Sequence, residues 1–143
     1  MLNPEGGFAI GLHVTPIGIG AALVNLAGDI VGSRYHAFAP VTPERSFAIF
    51  ETLIAEMRAL RPDARMLGIG VAMPGPNDVE SMSFVGPTTL EGWKGVDVGA
   101  RLTAATGLPA FVGTEPSAAA LGERLYGKGR DLNSFYYLYV GVG

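Results

Sequence analysis

The run Met66 to Met73, closed by Pro74-Gly75-Pro76, constrains this chain more than any other feature. It is short, nearly continuous in apolar residues and bounded by turn formers, the pattern of a strand buried on both faces of a parallel sheet. Its surroundings supply the rest of such a sheet. Upstream, Phe8 to Val14 and Ile19 to Leu26 are β-rich runs separated by the turn signal Thr15-Pro16-Ile17-Gly18, and Ile30 to Phe38 follows Ala27-Gly28-Asp29. This predicts three consecutive antiparallel strands. Thr42 then stands as a helix N-cap with Pro43 at the first helical position, and Phe47, Phe50, Leu53, Ile54, Met57 and Leu60 recur at helical spacing before Pro62.

Downstream, a long connection carrying Trp93 runs to Gly95, and connections of that length often line a binding site. Asp97 caps a helix through Thr106 that Gly107 ends, Leu108 to Gly113 is another buried strand, and a last helix from Pro116 to Tyr126 stops at Gly127. Asn133 to Val140, rich in tyrosine, reads as a strand. The order predicts an α/β domain in which a three-stranded meander is followed by βαβ units.

At 143 residues the chain is sized for one core, and 48% hydrophobic against 16% charged residues excludes a disordered segment. A net charge of -3, with ten Lys and Arg scattered along the chain, predicts no direct contact of this segment with nucleic acid. No cysteine is present, which removes disulfides, thiolate metal sites and a cysteine nucleophile and suits a reducing cytoplasm. Met1 to Gly7 lacks the features of a secretory signal, and it leaves no room for a winged-helix head before the first strand. Phe8 to Ala27 is apolar, but Gly11, Pro16, Gly18 and Gly20 break it and His13 and Asn25 lie inside, so a hairpin is expected there and not a membrane span.

Common nucleotide motifs fail on inspection. Gly18-Ile19-Gly20 meets Leu23 where a dinucleotide fingerprint needs its third glycine, and Gly68-Ile69-Gly70 meets Met73. Gly122 to Gly127-Lys128 has Walker A spacing, yet Gly129 replaces the magnesium-binding hydroxyl and Glu123 to Tyr126 look helical. His13 and His36 lie on different strands with no companion ligands, so no metal site is expected.

Three segments carry a resemblance. Leu67-Gly68-Ile69-Gly70-Val71-Ala72-Met73-Pro74-Gly75-Pro76 resembles the strand and sugar-approaching loop of the ROK family of repressors and sugar kinases. Leu90-Glu91-Gly92-Trp93 is similar to that family's loop before its second helix, and Ser117 to Glu123 to the helix after its catalytic Asn-Asp pair. The resemblance spans nearly the whole chain and implies an actin-like ATPase, ribonuclease H-like domain, with a mixed five-stranded sheet. It also implies a division at residue 132, with 133–143 opening a second lobe that lies outside this chain.

The departures from the family pattern bear on function. Active ROK kinases end the first strand in Asp-x-Gly-Gly-Thr, where this chain has His13-Val14-Thr15-Pro16-Ile17. An imidazole replaces the carboxylate that helps hold magnesium, Pro16 removes an amide donor and Ile17 removes a hydroxyl. His13 and Thr15 are therefore vestiges of a phosphate loop. The family's catalytic Asp falls on Glu115, one methylene longer, and its Asn neighbour on Thr114; a carboxylate displaced by about 1 Å is an impaired general base. Thr114-Glu115-Pro116 also has a purely structural reading, as a capped helix start.

The resemblance places sugar contacts at Gly75, Thr89, Thr114 and Glu115, and a second vestigial phosphate turn at Gly141-Val142-Gly143. It implies the sugar-sensing lobe of a cytoplasmic transcriptional regulator that uses no cofactor and binds sugar with its second lobe. The alternative is a fragment of an ATP-dependent hexose kinase. Ser134 to Val140, read as a strand without neighbours, is expected to pair between copies or to fold back on its own domain.

Overall fold

The computed structural model describes residues 1–75, 77–78, 83–84 and 90–141. After a short 3-10 turn, strands β1 (Phe8–Thr15), β2 (Gly18–Asn25) and β3 (Ile30–Ala37) form the expected antiparallel meander. Helix α1 (Pro43–Ala59) leads to β4 (Met66–Met73), which pairs parallel to β1. A minimal hairpin, β5 (Asn77–Asp78) and β6 (Ser83–Phe84), follows. Helix α2 (Val98–Thr106), strand β7 (Ala110–Thr114) and helix α3 (Glu115–Tyr126) complete the order. The main sheet runs β3-β2-β1-β4-β7, a mixed five-stranded sheet as expected.

The core lies on one face of this sheet. Alternation along β1 turns Phe8, Ile10, Leu12 and Val14 inward, joined by Ile19, Ala21 and Leu23 of β2 and by Ile69, Val71 and Met73 of β4. Helix α1 covers them with Phe50, Leu53, Ile54 and Met57, and α2 adds Val98 and Leu102. Trp93, expected on a binding loop, is instead fully buried: its indole Nε1 donates to the Val41 carbonyl at 2.8 Å, and its ring lies 6.3 Å from Phe47 and 6.4 Å from Phe50. Arg101 stacks over Phe47 with its guanidinium carbon 3.5 Å from the ring centroid.

The helix ends follow the sequence signals. Asp97 Oδ1 accepts from the Ala100 amide at 2.8 Å, and Gly107 ends α2 in the left-handed region at φ 72°. Thr42 occupies the N-cap of α1, but its side chain makes no capping bond; the Ser46 amide and hydroxyl both donate to the Thr42 carbonyl.

Two further expectations are corrected, the first of them for β4 and β7 alike, since β7 is buried only at Ala110 and leaves Phe111 exposed. Strand β4 is buried on one face only: Gly68, Gly70 and Ala72 lie on the opposite, outer face, and Gly70 is exposed. Glycine and alanine extend an apolar run without supplying side chains to bury, so the run looked two-sided in sequence. The second correction concerns Asn133 to Val140, which forms no strand. Arg124 Nη1 donates to the carbonyls of Gly129, Arg130 and Leu132, turning the chain over the end of α3, and the following residues pair with no sheet edge. Tyr136, Leu138 and Val140 stand almost fully exposed along this segment. Among the described residues no helix is long and apolar enough to cross a membrane.

Candidate functional site

Strands β1, β4 and β7 are parallel, so their C-terminal ends share one edge of the sheet, where ligands of open α/β sheets gather. This edge brings together His13 and Thr15 from β1, Gly75 two residues beyond β4, and Thr114 and Glu115 at the junction of β7 and α3. Register makes the alignment specific. His13 is level with Ala72, and Ala72 with Gly113, so the three sit in one row across the sheet.

Two strand spacings separate β1 from β7, roughly 9.5 Å. A side chain crossing that distance needs a clear path over the middle strand. Ala72 and Gly113 provide it, and no atom lies within 4 Å of the space a Cβ on Gly113 would take. The path is used: His13 Nε2 lies 2.5 Å from Glu115 Oε1, a hydrogen bond between residues 102 apart in sequence. Glu115 is buried, whereas the His13 side chain is 54% exposed.

Glu115 is the first residue of α3, where the helix dipole favours a negative side chain. The segment after α3 brings Tyr139 near this carboxylate. Desolvation raises the Tyr139 pKa, and the neighbouring Glu115 carboxylate raises it further, with Tyr137 adding to the effect.

Neighbouring groups are committed locally. Thr114 Oγ1 accepts from the Ser117 amide at 3.4 Å and donates to Ser117 Oγ at 2.8 Å, so the structural capping role read for it is present. Thr15 Oγ1 donates to the Gly18 carbonyl at 3.1 Å and accepts from the Ile17 amide at 3.3 Å. The β1–β2 turn is thus closed on itself: Pro16 has no N–H, and the Ile17 N–H is spent on Thr15. Gly18 fits this turn because a Cβ there would lie 2.5 Å from the His36 carbonyl oxygen. Gly141 lies in the exposed segment, its Cα region covered by the Tyr139 ring. Thr89 and Gly143 lie outside the described residues.

Along the outer face of the sheet, under α3, runs an open cavity of about 690 Å³ that reaches His13. Its floor is Gly11, Gly20, Ala22, Gly70 and Ala72, and its walls include Phe111 and Leu121. No group of three metal-ligating side chains occurs among the described residues. The Walker-like stretch is helical through Tyr126, and Glu123 Oε2 accepts from the Lys128 amide as part of the helix ending. It presents no phosphate loop.

The sequence led to both members of the pair but not to their bond. In sequence, Glu115 resembles a displaced catalytic acid and His13 a vestige, and the signal for their bond is a basic side chain standing opposite a retained acid at positions that the family resemblance assigns to one site. Tyr139 gave no signal, because its contact depends on the path of the chain after α3.

Comparison with known proteins agrees with this architecture. The chain is 25% identical to the xylose repressor of Bacillus spizizenii over 145 residues, covering all of this chain and 37% of the repressor. It is 26% identical to the glucokinase of Streptomyces coelicolor over 138 residues, covering 96% of this chain and 42% of the kinase. A ROK family glucokinase from Streptomyces griseus, solved with glucose and AMPPNP, superposes with a TM-score of 0.76 at 22% identity over 87% of this chain and 38% of that one, a likeness of fold. The chain therefore spans well under half the length of these relatives. The profile of the ROK family matches residues 9–143, and this chain belongs to that family.

Proposed function

We propose that this chain is the sugar-sensing lobe of a ROK transcriptional regulator in which the kinase machinery is no longer used. The observation that carries the reading is the hydrogen bond between His13 and Glu115. In a kinase of this family the first position helps hold magnesium and the second takes a proton from the sugar. Here the two positions bind each other, and the adjoining turn spends its Ile17 amide internally. A buried carboxylate at the strand ends remains well placed to accept hydrogen bonds from sugar hydroxyls. The similarity to a xylose repressor supports the same reading and makes an aldopentose the first ligand to try.

Such a lobe needs its counterpart to enclose the ligand. Sugar held between two lobes favours their closed arrangement, and a ligand shifts that equilibrium only by its differential affinity for the two states. Closure would then alter repressor geometry. The full-length protein is expected to retain its own promoter DNA in a mobility-shift assay and to release it when xylose or a related aldose is added. DNA retention unchanged by every aldose tested, together with sugar phosphorylation, would count for the second reading, an ATP-dependent hexose kinase. That reading draws on the carboxylate kept at Glu115 and on the glucokinase relative.

A further inference from the structure

We propose that His13 is a positioning residue for ligand recognition: it fixes one oxygen of the buried Glu115 carboxylate so that the carboxylate meets a neutral sugar hydroxyl in a set orientation. This rests on the sugar-sensing reading and adds to it a residue with a defined task.

The geometry sets the task. A buried carboxylate without a partner is costly, and a glutamate side chain has rotatable bonds that would let it turn toward water. Glu115 is buried at the start of α3, and His13 reaches it across the sheet at 2.5 Å. The row His13, Ala72, Gly113 keeps the path open, so the bond depends on small residues on two neighbouring strands. With Oε1 held, the carboxylate's orientation is set before ligand arrives, and the remaining acceptor capacity is offered in one direction.

Ligand chemistry follows. A carboxylate accepts from alcohols and repels phosphate, so the site selects the unphosphorylated sugar over its phosphate ester.

The test uses the full-length protein and calorimetric titration with D-xylose, D-glucose and their phosphate esters. His13→Leu is expected to weaken binding of the preferred free sugar by about tenfold or more, the scale of a lost hydrogen bond to a charged group. His13→Gln, whose amide N–H has a similar reach, is expected to bind within about threefold of the wild type. Because His13→Leu leaves the buried Glu115 carboxylate without this partner, it is expected to melt lower than the wild type, whereas His13→Gln, which keeps the bond, should melt close to it. In ¹⁵N spectra, the His13 imidazole resonance should move when the sugar saturates the wild type. Wild-type affinity in His13→Leu, or a Gln variant as weak as the Leu variant, overturns the positioning role while leaving the sensor intact. A wild-type protein that binds neither free sugar overturns the sensor reading and this role with it.

Discussion

Replacing Trp93 by alanine is expected to lower the stability of the protein by about 3–5 kcal/mol. The reason is concentrated in one place. Trp93 is fully buried, packs on Phe47 and Phe50, and donates its indole N–H to the Val41 carbonyl just before α1. Truncation leaves a cavity between the loop before α2 and the face of α1, and it strips the Val41 carbonyl of that donor. Domains of this size hold about 5–15 kcal/mol in all, so the variant sits close to unfolding and should melt roughly 10 to 15 °C lower. Trp93→Phe keeps a ring in the cluster and should lose about 1–2 kcal/mol, separating packing from the hydrogen bond. Urea denaturation of both variants checks this; an alanine variant within 1 kcal/mol of the wild type would mean that the residue is not part of the core.

The second large effect is functional. Glu115→Ala should leave the fold nearly intact and weaken sugar binding by the full-length protein by about 30- to 100-fold, since hydrogen bonds to a charged group contribute about 1.5–3 kcal/mol. Two small effects on stability oppose each other. The start of α3 loses a favourable acid, worth about 0.3–1 kcal/mol, and the core edge loses a carboxylate that was costly to bury. Thr114 still caps the helix through the Ser117 amide. Glu115→Gln keeps one carbonyl acceptor and should fall between alanine and wild type. A binding isotherm combined with a melting curve makes the comparison: affinity lost with melting temperature kept marks a ligand contact, whereas both lost together marks a structural residue.

Much of the fold could be read because its signals are local. Phe8, Ile10, Leu12 and Val14 alternate with Ala9, Gly11 and His13, and that period alone sets the inner face of β1. Asp97, Gly107 and Gly127 mark helix ends through backbone hydrogen bonding that depends on a few neighbouring residues. Other features are decided by contacts that lie elsewhere in the chain. A run such as Gly68 to Val71 is apolar in composition, but only a covering element decides whether its glycine face is buried. Tyrosine-rich Asn133 to Val140 has β propensity, yet propensity expresses fit to a neighbouring strand, and Arg124 draws the preceding chain away from any edge.

The site divides the same way. Glu115 and His13 were each recognisable from the motif they replace, because a motif is a local spacing. Their bond was not, since it depends on the register that aligns His13, Ala72 and Gly113 across three strands. No linear pattern records which side chain in such a row is small enough to be crossed.

The proposed sensor role requires that the strand ends of this chain hold no nucleotide. Titrating the full-length protein calorimetrically with magnesium-ATP, with and without an aldose, tests this most directly. Heat of binding with the sugar alone, none with magnesium-ATP at millimolar concentration, and no sugar phosphate in the cell afterwards is the predicted result. Tight magnesium-dependent nucleotide binding with sugar phosphate accumulating would contradict it.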